Sequence, residues 1–469
     1  MMFRVAWRSL VARPVRAGVL AAGFGFGIAV MAELLGVGHV ILEQAHAPAL
    51  YGGGHLVVGG PFGLLPSARF VMSGVLGAPD ISRRLTMVSP SKQSRVFLIS
   101  PQGPIPVAAN GGIPSLERAL SDPEVSGVAS WIDRPGDERW ARPEPGDVLR
   151  AMDRFHPIPD VTSRAESWAE WLYFNGRTRD GRTRLYLTFL VGPRAGPGRR
   201  RAGVRLQLER DGRSVNYSAQ ADIDETSLLA SAPDLDIGGN RVRLEGLTYR
   251  LTLALQKDLP PGAAAVDRTS LSGEVVLDAQ PRRSLPPTAI RGAGGWVSGY
   301  VVPALAGSMR GTLRIGGDQL EFDDAIGYHD HNWGFWEGVS WQWGQVAHDE
   351  VSVVYGRVFP PADAADSSRI PGFLAVLGPE GPLGFSTDVV IDDTQSGRVE
   401  VSATSRAIDL HLTLVVDETV RTAMRMTSLP GGQPLNFLQL GGMYRVKGRV
   451  SGRAIDFSAR GSAETFKPQ

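Results

Sequence analysis

The stretch Gly327-Tyr328-His329-Asp330-His331-Asn332-Trp333-Gly334-Phe335-Trp336, continuing through Trp341, Gln342 and Trp343, decides how the rest of the chain is read. Its 17 residues gather two of the eight histidines and four of the ten tryptophans, a density that chance composition does not supply. The pattern is that of an extended strand, on which successive side chains point to opposite faces. Tyr328, Asp330 and Asn332 are then expected on one face. His329, His331 and Trp333 fall on the other, so that two imidazoles and an indole share a wall.

On both sides of this stretch the periodicity is that of short β-strands. Arg184 to Val191, Gly203 to Leu208, Ser214 to Ala221, Arg241 to Gln256 and Gly273 to Ala279 come before it. Gly344 to Phe359, Phe373 to Leu377, Ala407 to Val416 and Tyr444 to Val450 follow, with Gly, Pro, Asp and Asn between the runs. Asp211-Gly212 predicts a hairpin turn. Gly192 to Gly203, with Arg194, Arg199, Arg200 and Arg201, is expected as a basic loop, either solvated or open to anionic headgroups. Helical periodicity is scarce here, so the fold class is mainly β, as antiparallel barrels or sandwiches.

Gly327 to Gly334, GYHDHNWG, resembles the signature of the carotenoid 1,2-hydratase (hydroxyneurosporene synthase) and AttH-like family. Glu170-Trp171-Leu172-Tyr173-Phe174-Asn175-Gly176 is similar to the family's EWWYFxG opening. The C-terminal hairpin Val446 to Phe466, closing on Ser462-Ala463-Glu464, is a third match. The resemblance spans residues 155 to 469 and implies two lipocalin-like antiparallel β-barrel domains, 155–335 and 336–469. It also implies a hydratase (a hydro-lyase) or isomerase that acts on a long apolar, isoprenoid-like or lipid substrate without a cofactor. Membership alone does not settle activity, because one fold hosts many functions.

Composition bounds the alternatives. A chain of 469 residues is too long for one core. With 49 basic against 48 acidic residues there is no electrostatic case for nucleic acid. The absence of cysteine excludes disulfides and thiolate metal sites.

The N-terminus carries Arg4, Arg8, Arg13 and Arg16 ahead of an apolar run from Ala17 to Leu42, broken by Glu33. That length suffices for a bilayer, which takes about 20 residues. The arginines predict a cytoplasmic tip, with everything past about residue 48 extracytoplasmic. Residues 1–48 therefore read as a single-pass membrane anchor, with a cleaved signal peptide ending near Ala47 as the rival. The same segment resembles the first helix of export-type ABC permeases, which makes an ABC transporter a candidate partner. Residues 49–154 read as a membrane-proximal mixed segment, with a strand at Val96 to Ile99 and a short helix from Pro114 to Leu120.

Three chemistries fit the central stretch. A metal shared by His329 and His331 needs a third ligand, and only His348 is near in sequence, so no metal is expected. A structural group, with Asp330 taking backbone N–H bonds, stays open. The third is acid–base chemistry, with Asp330 or His331 as proton donor and His329 beside them. Trp333, Trp336, Trp341 and Trp343 would then face a developing carbocation. Tyr328, Asn332, Trp171 and Tyr173 complete the expected substrate wall, although large aromatics also build barrel cores. Tyr355-Gly356-Arg357 lies where the resemblance places a Tyr-x-Asp pair that assists catalysis. Tyr355 matches, whereas Arg357 is no general acid and suits a polar or anionic ligand group instead. A non-catalytic lipocalin-like carrier of a lipid or apolar metabolite is the alternative to an enzyme.

Overall fold

The computed structural model describes residues 67–120, 128–424 and 435–468, apart from breaks at 129, 260–268, 281 and 349, together with residues 12, 14, 15 and 56–59. The expected membrane anchor and most of the glycine-rich stretch after Tyr51 lie outside the described residues. Among the described residues no helix is long and apolar enough to cross a membrane. The chain divides into two compact units: residues 1–65 with 84–141, and residues 66–83 with 142–469.

In the first unit, β1 (Lys92–Ser100) and β2 (Gly103–Gly111) form an antiparallel hairpin. Val96, Phe97, Leu98 and Ile99 are exposed on it. A helix at Pro114–Ala119 follows, started by proline at a position where its missing N–H costs nothing.

In the second unit the strands in chain order are β3 (Trp168–Arg177), β4 (Thr183–Gly196), β5 (Arg199–Arg210), β6 (Arg213–Asp224), β7 (Leu235–Ile237), β8 (Asn240–Glu245), β9 (Thr248–Lys257), β10 (Ser270–Ala279), β11 (Leu285–Arg291), β12 (Val297–Ile315) and β13 (Asp318–Phe335). They make one 11-stranded sheet in the order β10-β12-β13-β3-β4-β5-β6-β9-β8-β7, with β11 on β12. Because β9 also pairs with β10, the ring β10-β12-β13-β3-β4-β5-β6-β9 closes on itself as an antiparallel barrel. Closure removes the unpaired edges that an open sheet would present. Asp211 and Gly212, with φ of 48° and 76°, turn β5 into β6 as their pairing in sequence predicts.

The next nine strands are β14 (Ser340–Ala347), β15 (Ser352–Phe359), β16 (Phe373–Gly378), β17 (Gly381–Ser386), β18 (Asp388–Asp392), β19 (Arg398–Thr404), β20 (Ile408–Met424), β21 (Leu435–Val450) and β22 (Arg453–Pro468). They form a second antiparallel sheet, ordered β17-β16-β15-β14-β22-β21-β20-β19-β18 and curled round its own core of Val353, Leu374, Val401, Leu412 and Tyr444. The two barrel-shaped sheets fit the two lipocalin-like barrels that the resemblance implies, and they part between Phe335 and Ser340.

Two expectations are corrected. The helix Pro145–Met152 buries Val148, Leu149 and Met152 in the first barrel's core, so packing of that domain begins before residue 155. The basic stretch 192–203 is mostly strand, since β4 runs on to Gly196 and β5 starts at Arg199. Arg200 is fully buried there, donating Nε to the Gly192 carbonyl at 2.8 Å and pairing with Glu225. Arg194 also pairs with Glu225, and Arg201 with Glu166, so these cations are largely compensated rather than presented to a headgroup.

Candidate functional site

β13 carries the central stretch between β12 and β3, with Asp330 opposite Tyr173, His331 opposite Leu172 and Asn332 opposite Trp171. A strand buried on both sides separates two compartments. Successive residues alternate between them.

The compartment inside the first barrel receives His329, His331 and Trp333. His329 stacks on Phe174, with ring centroids 4.0 Å apart, and its Nδ1 faces the Tyr173 carbonyl at 2.9 Å. Its Nε2 lies 2.9 Å from Asp153 Oδ2, which also accepts from the Tyr249 hydroxyl at 3.0 Å. His331 lies between two carboxylates, Nδ1 at 2.7 Å from Asp153 Oδ1 and Nε2 at 2.9 Å from Glu170 Oε1. His156, on the segment after the helix, donates its backbone N–H to both Glu170 oxygens, brings Nδ1 to 2.7 Å from Oε1, and stacks on Trp333. Burial disfavours ionisation of Asp153 and Glu170, but the histidines outweigh it and hold both carboxyls below their usual range. Burial likewise opposes a charge on His331, and its two carboxylate partners overcome that, raising it to about 9.

His156, Glu170 and His331 offer donor atoms within 4.8 Å of one another, the spacing of a divalent-cation site. In the structure each hydrogen-bonds within the group, and the set ties the segment after Met152 to β3 and β13. His329 and His331 are not joined by His348, which stacks on Phe457 elsewhere. Nor do they reach the other compartment. Trp333 is buried in the barrel core and is not part of a ligand wall; Gly299 on β12 leaves the room for its indole, since a Cβ there would sit 2.0 Å from the ring.

The other compartment is a cavity of about 1380 Å³ between the outer face of β13, β3, β4 and β5 and the facing side of the second sheet. Cross-strand register sets its wall in rows: Asp330, Tyr173, Thr188 and Arg205 in one, and Asn332, Trp171, Leu190 and Gly203 in the next. Across from them stand Trp341, Trp343, Phe373 and Glu464. Trp171, Trp336 and Trp341 cluster with centroids 4.6 to 6.3 Å apart, in tilted or edge-on geometries that aromatic quadrupoles favour.

Asp330 faces this cavity and is only 4% exposed. Its Oδ2 accepts from the Tyr328 hydroxyl and its Oδ1 from Asn332 Nδ2, both at 2.8 Å. Tyr328 is bonded at 2.8 Å to the Tyr300 hydroxyl, which accepts from Trp343 Nε1 at 2.9 Å. Burial, reinforced by the Glu464 charge, pushes the Asp330 carboxyl well above the usual carboxylate range in spite of these donors. Both partners donate to the carboxyl, so neither takes up its own proton.

Arg357 lines the cavity, donating Nη2 to the Ser367 carbonyl at 3.1 Å and lying over Phe359. Tyr355 does not: it is 1% exposed in the second sheet's core, its hydroxyl 2.9 Å from that of Tyr444. Gly344 makes space for it, because a Cβ there would lie 2.3 Å from the Tyr355 oxygen. Tyr355 and Arg357 thus do not act on one ligand group. Sequence reasoning assigned no role to Asp153, His156, Tyr249, Tyr300 or Glu464. Glu170 and Glu464 were visible only as members of resemblance motifs.

No family model matches the chain, and no curated protein matches it. Among solved structures it is similar to a putative AttH from Nitrosomonas europaea, with 14% identity and a TM-score of 0.40 over 64% of this chain and 92% of that one. It is similar also to CghA, with 12% identity and a TM-score of 0.40 over 65% of this chain and 89% of that one. For CghA with Sch210972 the identity is again 12% and the TM-score 0.40, over 70% and 95%.

Proposed function

We propose that the chain holds a long apolar, isoprenoid-like or lipid ligand in the cavity between its two sheets and catalyses its acid-assisted hydration or isomerisation, with Asp330 as proton donor. The observation that supports this reading most is the buried Asp330 carboxyl, its pKa raised by burial, at the wall of an aromatic-lined cavity. Proton transfer from Asp330 to an alkene carbon forms a C–H bond and leaves a carbocation on the neighbouring carbon. Trp171, Trp336, Trp341 and Trp343 line the space it would occupy, where cation–π attraction is worth about 2 kcal/mol once water is excluded. Addition of water and loss of a proton complete hydration; loss of a proton from carbon completes isomerisation. Neither route calls for a cofactor. His331 and His329 serve in this scheme as the hydrogen-bonded scaffold behind the strand. The arginines before the apolar N-terminal run support a single-pass anchor that sets the β domains outside the cytoplasmic membrane, beside lipid substrates and an ABC exporter as possible partner.

The test is mass spectrometry of lipid extracted from purified wild type and Asp330→Asn. An enzyme accumulates substrate in the variant, differing from the wild-type ligand by one water or by double-bond position. Identical ligands in both proteins favour the carrier reading, which the cavity alone also supports.

A further inference from the structure

We propose that Glu464, from the last strand, is the proton acceptor of this site, facing the donor Asp330 from the opposite sheet. The inference rests on the acid–base reading above and completes it, because a hydration or isomerisation that begins with a proton delivered must end with one removed.

Three observations carry it. Register on the second sheet sets Glu464 between Gln439 on β21 and Trp343 on β14, and both Glu464 and Trp343 line the cavity. Register on the first sheet sets Tyr173 beside Asp330, and Tyr173 interacts with both carboxyls. The Tyr173 hydroxyl and Glu464 Oε1 are both buried and fall short of a well-formed hydrogen bond, although Tyr173, Gln439 and Trp341 lie close enough to favour the Glu464 carboxylate. A buried polar group with spare hydrogen-bonding capacity at a cavity wall can bond a ligand or a water there. The groups acting on Glu464 are Tyr173, Gln439 and Trp341, and none of them is a cation. Burial lifts the Glu464 carboxyl to about 7, so it exchanges its proton near neutrality, and Asp330 is pushed well above the usual carboxylate range.

The reaction balances with these two groups alone. Asp330 gives its proton to one alkene carbon, and the π pair forms the new C–H bond. A water between Tyr173 and Glu464 adds to the cationic carbon, forming a C–O bond, and the Glu464 carboxylate takes the water's proton. In isomerisation Glu464 takes a proton from the carbon beside the cation, and that C–H pair becomes the shifted double bond. Between turnovers Glu464 releases its proton to solvent and Asp330 regains one. The net change is one water added, or none, with no oxidation.

The experiment uses the full chain and two probes that differ only in charge: dimethyldodecylamine, whose protonated nitrogen imitates the carbocation, and dodecanol. Binding is followed at about pH 8 through tryptophan fluorescence, since ionised Glu464 is then the counter-charge. Wild type is expected to prefer the amine about tenfold or more, Glu464→Gln to bind both alike, and Glu464→Asp and Asp330→Asn to keep the preference. Thermal melting of each variant separates loss of the site from loss of fold, and retention in Glu464→Asp guards the assignment if Glu464→Gln folds poorly. A preference that survives Glu464→Gln, or is lost in Asp330→Asn instead, overturns the assignment. Equal binding of both probes by wild type overturns it too and leaves the cavity reading standing. Binding of neither probe overturns both.

Discussion

His331 and Asp330 are consecutive in the chain and serve opposite compartments: the imidazole lies between Asp153 and Glu170 inside the first barrel, and the carboxyl faces the cavity between the sheets. The strand is a partition with a hydrogen-bonded carboxylate and histidine network on one side and, on the other, a carboxyl that burial pushes well above its usual range. The network's partners hold β13 against β3 and the segment after Met152, and the position of that strand fixes where Asp330 points. The fold's support and the cavity wall thus meet in two neighbouring residues.

Stability should depend on pH through this network. His331 is raised to about 9 in the folded chain, above its unfolded value of about 6.5. Its contribution is therefore full below about pH 6.5 and is lost as pH rises through about 9, on the order of 3 kcal/mol in all. Asp153 and Glu170 are lowered, so theirs is present above about pH 4 and lost as pH falls through their lowered values. Denaturant unfolding across a pH series should show an alkaline loss that begins near pH 6.5. A flat profile from pH 6 to 9 would contradict the assigned ion pairs.

Asp153→Ala should cost about 3 to 5 kcal/mol, the penalty for removing one partner of buried charges. The variant leaves His329 and His331 without their shared acceptor, 176 and 178 residues away in sequence. The measurement is the shift in urea midpoint. A change under about 1 kcal/mol would mean that the network does not hold the barrel together.

Much of this was legible in the sequence, for identifiable reasons. The alternation of Tyr328, Asp330 and Asn332 against His329, His331 and Trp333 follows from strand geometry, and the structure divides them in that way. Asp211-Gly212 gave its hairpin because a turn there needs two positive φ angles. What could not be read is what the faces meet. Asp153 reaches the histidines only because the barrel closes round it, and Glu464 joins the cavity only because β22 pairs with β14. Tyr355 was a site candidate through the resemblance to a Tyr-x-Asp pair, yet Gly344 opens a place for its ring in the second core. The arginines of 192–203 resembled a loop because nothing local shows that Arg200 has a buried carbonyl and Glu225 to meet.

Tyr355→Phe tests that correction. It should cost about 0.5 to 1.5 kcal/mol, the value of the hydroxyl pair with Tyr444, and leave bound ligand or turnover unchanged. Loss of turnover in a variant that melts near the wild-type temperature would return Tyr355 to the site.

The most direct measurement is infrared spectroscopy of the carboxyl C=O stretch at about pH 8, where an exposed carboxylic acid is fully ionised and Glu464, at about 7, is mostly so. The account predicts a band from a protonated carboxyl in wild type that is absent from folded Asp330→Asn. A wild-type spectrum without a protonated carboxyl, or a band that persists in Asp330→Asn, would contradict Asp330 as the proton donor.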